Sequence, residues 1–233
     1  MNCPKCNSQK SVKNGCHLGR QRYKCKECGC QFTLSQPKGK PVETKCLAII
    51  LYVNGLSFRA IARIVKVSPK AVYDWVKSFG LESYEKPKPQ GDIIVELNEM
   101  WHFINAKKNK LWIWKAYCRT TGQLIDWECG SRDSKTLTRM LNRLLKLKVS
   151  VFFADNWEVY AELIPAELLI QTKAETHGIE RNNFRQRHWF GRFRRKTCIV
   201  SRCKQMVDIT ITMSLFARFR VNSNPEMILS FFN

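Results

Sequence analysis

Two kinds of side chain in this 233-residue sequence are spaced for chemistry: paired cysteines near its start and isolated carboxylates in its second half. Cys3-Pro4-Lys5-Cys6 and Cys25-Lys26-Glu27-Cys28 are two C-x-x-C pairs with 18 residues between them. That spacing suits four thiolates around one tetrahedral Zn²⁺. So short a segment cannot bury an adequate core, so bound metal would supply its folding energy. Two disulfides are the alternative, disfavoured in a reducing compartment. Cys16, His17 and Cys30 are spare thiol and imidazole candidates whose spacing fits less well. The carboxylates are Asp155, ending the apolar run that starts at Val149, and Glu180, at the start of a strongly basic stretch. Acids at strand ends commonly build sites at the edge of an α/β sheet.

The charge says what such sites would meet. With 40 Lys and Arg against 19 Asp and Glu the net charge is +21, which makes a polyanion the first partner to consider. A hydrophobic content of 44% with 25% charged residues excludes a wholly disordered basic tail. Residues 1–90 carry a net +12, residues 91–170 a net +1, and residues 171–233 a net +8. The longest apolar run, Leu47 to Val53, is far below the roughly 20 residues of a membrane span. No membrane association and no secretory signal are expected, and the chain reads as intracellular. Proline-containing stretches at Ser35–Pro41 and Glu85–Gly91 suggest linkers, dividing the chain into 1–36, 42–84 and 91–233.

In the first part, Arg20, Arg22, Lys24 and Lys26 surround the second cysteine pair, with Tyr23 and Phe32 packing a small sheet. Such a basic face grips a phosphate backbone or is simply solvated. In the second part, Leu47, Ile50 and Leu51 mark a helix ending at Asn54-Gly55. Ser57 caps a second helix carrying Ile61, Ala62, Ile64 and Val65; Lys66-Val67-Ser68 turns the chain, and Pro69 starts a third through Phe79. This is the helix-turn-helix pattern, with Ala62 at the helix crossing and Val67, Val72 and Val76 inward. Its third helix would present Ser68, Lys70, Ala71, Tyr73 and Asp74 to the major groove of double-stranded DNA and Lys77 to a phosphate. A plain three-helix packing unit is the alternative.

From Asp92 the pattern becomes extended. Strands are expected over 92–101, 111–118 and 123–129, with a turn at Thr120-Thr121-Gly122. A helix over 134–147 follows, with Leu137, Met140, Leu141, Leu144 and Leu145 on one face, then the strand 149–155. A helix begins near Ile179. Three strands, a helix, a strand ending in Asp and a later helix carrying Glu is the order of an α/β, ribonuclease H-like mixed sheet with helices. Arg181, Arg185, Arg187, Arg192, Arg194, Arg195 and Lys196 put arginine on several faces of that last helix, which would lie along DNA. The stretch 206–221 is expected to be helical, and the apolar end 227–232 to pack on another subunit.

Taken together, the chain resembles the DDE transposases of the insertion sequence one family. The resemblance rests on Cys-Pro-x-Cys, Gln21-Arg22-Tyr23-x-Cys25-x-x-Cys28, the helix-turn-helix, and three catalytic segments: Glu96-Leu97-Asn98-Glu99-Met100-Trp101, Ala154-Asp155-Asn156-Trp157-Glu158-Val159-Tyr160, and Ile179-Glu180-Arg181-Asn182-Asn183 through Arg187. The 24 residues between Asp155 and Glu180 fit the family's spacing. Arg187, seven residues past Glu180, shares its helix face and falls where the family has a basic residue. The resemblance implies binding to terminal inverted repeats and target DNA by a homo-oligomer, at least a dimer, in the bacterial or archaeal cytoplasm at the nucleoid. It also implies Mg²⁺- or Mn²⁺-dependent cleavage followed by attack of the freed 3′ hydroxyl on a target phosphodiester, with Arg187 on a phosphate near the scissile bond.

One position departs from the family. Where its first catalytic aspartate stands, this chain has Asn98. Holding two Mg²⁺ ions about 3.5–4 Å apart requires carboxylates, and an amide contributes a dipole in place of a charge. The chain is therefore expected to be catalytically impaired, with a non-catalytic DNA-binding regulator as the alternative. Glu96 shares the strand face of Asn98, but ordinary strand polarity is the expectation for Glu96 and Glu99. His177 and His188 are expected to hydrogen-bond or pack, and Trp101, Trp157 and Trp189 to pack, with wedging at a DNA end as the alternative.

Overall fold

The structure, a computed structural model, describes residues 1–33, 39–82 and 86–220, with side chains through residue 214. It divides into two compact units, residues 1–41 and 42–233. Positions 34–38 and 83–85 of the expected linkers and their flanks, and the apolar end at 227–232, lie outside the described residues.

The first unit is an antiparallel sheet of β1 (Ser11–His17), β2 (Arg20–Cys25) and β3 (Gln31–Thr33), in that order. Tyr23 and Phe32 stack at 5.9 Å on adjacent strands. Cys3 and Cys25 are its only buried side chains among the described residues. With so little apolar burial, the unit depends on what its cysteines hold.

The second unit begins with α1 (Val42–Val53), α2 (Phe58–Ile64) and α3 (Pro69–Glu82). The Ser57 hydroxyl accepts the Ala60 N–H at 3.2 Å, as a helix cap does. The phase of α1 differs from the expected one. Leu47 is 44% exposed, and Cys46, Ala48, Ile49, Tyr52 and Val53 turn inward, because α1 packs against three neighbours, α2, α3 and α7 (Lys204–Arg220). The five-stranded sheet is built from β4 (Ile93–Phe103), β5 (Lys110–Cys118), β6 (Gln123–Gly130), β7 (Val149–Ala154) and β8 (Leu169–Gln171). Its order is β6-β5-β4-β7-β8. The pairs β4 with β5 and β5 with β6 are antiparallel, and β7 runs parallel to both β4 and β8. This is the ribonuclease H-like arrangement. Helix α4 (Ser134–Leu144) stops three residues short of expectation and tightens into a 3-10 turn, while α5 (Glu158–Leu163) and β8 were not signalled by periodicity. Helix α6 spans His177–Trp189. It ends before Arg192, which corrects the expectation of one basic helix through Lys196.

Alternation sorts the central strands between two cores. Val95, Leu97, Trp114 and Ala116 pack with Leu137, Met140, Leu141 and Leu144 of α4. Met100, Ile113, Trp127 and Cys129 share a cluster with α7 and with Ile49, Ile61, Val72, Val76 and Phe79 of α1–α3. The three N-terminal helices and the sheet thus bury one continuous core.

Backbone contact reinforces that junction. Gly55 has φ +92°, and a Cβ there would stand 2.4 Å from the Trp189 carbonyl oxygen; a Cβ on Gly191 would stand 2.6 Å from the Gly55 oxygen. Gly55→Ala adds both a left-handed strain and a backbone collision, so it should cost about 1–3 kcal/mol, read as a lower melting temperature.

Candidate active site

Helix α6 lies across β4 and β5, and two buried charged side chains hold it there. Glu96, 3% exposed, accepts the Ile179 N–H at 2.8 Å and the Arg119 Nε at 3.0 Å. Lys115, fully buried, donates from Nζ to Asn183 Oδ1 at 2.7 Å and to Gln186 Oε1 at 2.5 Å. Glu96 is therefore a brace between strand and helix, which corrects the expectation of simple strand polarity.

Asn98 pairs with Lys115 across the β4–β5 ladder, so the two side chains share the face covered by α6. The parallel ladder ends with Glu96 opposite Phe153, two residues before Asn98 on β4 and two before Asp155, which follows the end of β7. Asp155 accepts the Trp157 N–H at 3.1 Å through Oδ1. Glu180, in the first turn of α6, is exposed and accepts the Thr176 hydroxyl at 3.3 Å.

The opposite side of β4 carries Glu99. Its carboxylate takes Arg132 Nη2 at 2.5 Å and the Tyr160 hydroxyl at 3.3 Å. Arg132 is flanked by the rings of Trp112 and Trp157, at 5.0 and 4.7 Å, and Trp157 stacks on Trp114 at 5.2 Å. Burial pushes the Glu99 carboxyl up despite Arg132, and the charge of Asp155 adds to that push. Burial likewise holds the Tyr160 phenol well above its ordinary range, with Glu99 and Asp155 contributing. Glu99 is thus spoken for by Arg132 and Tyr160, and ordinary strand polarity does not describe it.

Glu99, Met100, Glu180, Asn183, Phe184, Arg187, His188, Arg194 and Arg195 line a cavity of about 780 Å³. Positions 180, 183, 184, 187 and 188 form one stripe of α6. Arg187 is half-buried and donates to the Phe193 and Trp101 carbonyls, each at 3.2 Å. His188 stacks on Phe184, and His177 is exposed. The thiols of Cys3, Cys6, Cys25 and Cys28 lie within 4.8 Å of one another, with Cys3 to Cys28 at 3.5 Å and Cys6 to Cys25 at 3.6 Å. Four sulfurs bound to zinc at about 2.3 Å would stand about 3.8 Å apart, so this cluster could hold that ion. Among the described residues no three carboxylate, His or Cys groups outside this cluster converge in that way.

Sequence comparison places these features in a family. The pattern described as IS1 transposase matches residues 92–219, more than half of the chain, and that of a homeodomain-like domain matches residues 40–85. The chain belongs to the IS1 transposase family. It is similar to the insertion element iso-IS1n protein InsB of Shigella dysenteriae, 33% identical over 119 residues, covering 51% of this chain and 91% of that protein. It is also similar to the insertion element IS1 2 protein InsB of Escherichia coli strain K12, 29% identical over 126 residues, covering 53% and 75% respectively.

Within this member of the IS1 transposase family, the expected DNA-contacting residues divide. Ser68, Lys70, Ala71, Tyr73, Asp74 and Lys77 lie on or just before α3. The Ser68 hydroxyl caps the helix by accepting the Ala71 N–H at 3.1 Å, Lys70 pairs with Asp74, and Tyr73 packs edge-on to Phe58. Arg20, Lys24, Arg181, Arg185, Arg194 and Arg195 are exposed, and Arg22 is half-buried with its Nε on the Asn14 carbonyl. Arg192 is a correction. Only 7% exposed, it lies beyond α6 with its guanidinium 5.3 Å from the Tyr52 ring and 5.5 Å from the Phe58 ring, so it joins the turn after α6 to the N-terminal helices. The expected linker is also anchored, since Lys86 reaches Asp126 at 2.5 Å.

Lys115, Arg119, Arg132 and Tyr160 were not singled out from the sequence. Only Lys115 carried a signal: a lysine inside Leu111-Trp112-Ile113-Trp114-Lys115-Ala116, an otherwise apolar central strand. Desolvation holds its pKa well below the ordinary lysine value, Arg187 lowers it further, and Cys129 opposes them. The unfolded chain therefore binds more protons than the folded one between that lowered value and about 10.4, and this lysine's contribution to stability grows as pH rises through the window. Lys115→Met should remove that gain. Its melting temperature relative to the parent should fall steadily as pH rises, and a difference independent of pH would contradict the assignment.

Proposed function

We propose that this chain is a transposase that binds the terminal inverted repeats of its element as a homo-oligomer, and that Asn98 impairs its metal-dependent cleavage and strand transfer. What supports the reading is the parallel register of β4 and β7, which carried two residues past its last pair would set Asn98 level with Asp155, together with the packing on β4 and β5 of α6, the helix that carries Glu180. Asp155 and Glu180 are hard oxygen donors suited to Mg²⁺ or Mn²⁺, and position 98 would complete the set. When bound, these ions would offset charge at the reacting phosphate. The protein's own contribution is positioning: Lys115 and Glu96 fix α6, which sets Glu180 relative to Asp155, and Arg187, Arg194 and Arg195 make the cavity attractive to phosphate. In the N-terminal unit the four thiolates would hold a structural Zn²⁺, and Arg20, Arg22 and Lys24 would meet the DNA backbone. Helix α3 would read the major groove.

Asn98 also favours a second reading, a non-catalytic DNA-binding regulator. The two separate in a strand-transfer assay with labelled end DNA in Mg²⁺ or Mn²⁺. Outer-shell partners of metal ligands are already worth roughly 10- to 100-fold, so Asn98→Asp should raise cleavage by about 100-fold or more. An Asn98→Asp variant that binds the ends yet neither cleaves nor joins them would leave only the regulator.

The ribbon has its own test. Metal analysis should find one zinc per chain, and a chelator should unfold residues 1–33 and weaken DNA binding while the cooperative melting of the second unit persists. Absence of zinc in freshly purified, reduced protein would refute it.

A further inference from the structure

Phe184 is 70% exposed, although it lies on the same stripe of α6 as Glu180 and Arg187 and lines the same cavity. Its ring lies nearly parallel to the imidazole of His188, at 15° and 6.3 Å between centroids. Arg187, Arg194 and Arg195 line the cavity beside this pair. A large exposed ring in a cavity lined by three arginines as well as by Glu99 and Glu180 is suited to a ligand that carries an aromatic face next to an anion, and a nucleotide unit of DNA is such a ligand. Inside a duplex the faces of the bases are occupied by their neighbours. A ring beside the carboxylate site can therefore meet a base face only where a nucleotide has left the stack.

We infer that Phe184, backed by His188, is a stacking platform for one unpaired base next to the phosphate to be cut, with Arg187, Arg194 and Arg195 holding the adjoining backbone. This rests on the transposase reading and adds to it a positioning residue for the DNA end. Phe184 forms no part of the carboxylate set, and its exposure makes it replaceable without opening a core.

The experiment is a protein-by-base cycle on the chain as it stands, in which Asn98 keeps the DNA intact during binding. Dissociation constants are measured by fluorescence anisotropy for duplexes copied from the ends of the element that encodes the chain, each either complete or with an abasic site in turn at each nucleotide flanking the cut. Phe184→Ala should weaken binding to the complete duplex by about 5- to 100-fold, as expected for loss of one base-aromatic stack. At one flanking position the abasic duplex should bind the parent and Phe184→Ala equally, and Phe184→Trp should restore the parent's dependence on that base. Equal weakening for complete and abasic duplexes at every position, or no weakening at all, overturns the platform. So does a lowered melting temperature or altered subunit number in Phe184→Ala without base dependence, which would mean that the ring packs on protein. A parent chain that binds end duplexes no better than scrambled ones overturns the transposase reading and the platform with it, whereas tight binding without base coupling overturns the platform alone.

Discussion

The placement of α6 on the sheet governs everything else in the second unit. A helix can slide or rotate on an apolar surface at modest cost, but buried polar groups tolerate little displacement because each lost hydrogen bond leaves a desolvated atom unpaired. Glu96 meets the backbone N–H of Ile179 at the start of the helix, and Lys115 meets Asn183 and Gln186 one and two turns later. Together they set both axial position and rotation. That fixes which stripe of α6 is left facing away from the sheet contacts, and so brings Glu180, Phe184 and Arg187 to one cavity. The cost is a fully buried lysine whose close partners are neutral amides and a thioether. Charged groups are rarely buried on such terms, which marks this as a place where precise placement outweighs stability.

A second constraint joins the N-terminal helices to the sheet. Helices α1–α3 share a hydrophobic cluster with α7 and the central strands, Gly55 and Gly191 allow backbones to touch, and Arg192 lies against Tyr52 and Phe58. Apolar burial, a backbone contact and a cation over two aromatic rings restrain the same junction from different sides. The helix-turn-helix and the carboxylate-bearing sheet consequently form one body, and the orientation of α3 relative to the cavity is part of the fold.

How far the sequence could be read depended on the kind of signal. The cysteine pairs were legible because each C-x-x-C must turn tightly, and four thiolates with that spacing converge in the structure. Ser57, Pro69 and Asn54-Gly55 marked helix ends because capping and turn chemistry act over three or four residues. The strands were legible from their apolar alternation, and Asp155 from its place after an apolar run. By contrast, α5 and β8 are too short to establish a period, and the face of α1 could not be predicted from three apolar positions when three helices compete for it. Arg192 looked like its exposed neighbours because composition does not record where a helix ends.

The sequence by itself determined the local chemistry: the thiolate quartet, the caps, the order of strands and helices, the concentration of positive charge at both ends, and the presence of an amide at position 98. These are properties of spacing within a few residues, so they survive without knowledge of the fold. Only the tertiary structure decided what each charge meets. Glu96 with Arg119, Glu99 with Arg132 and Lys115 with α6 join residues far apart in the chain. Alternation along a strand states which side chains share a face, but what covers that face is set by packing over the whole domain.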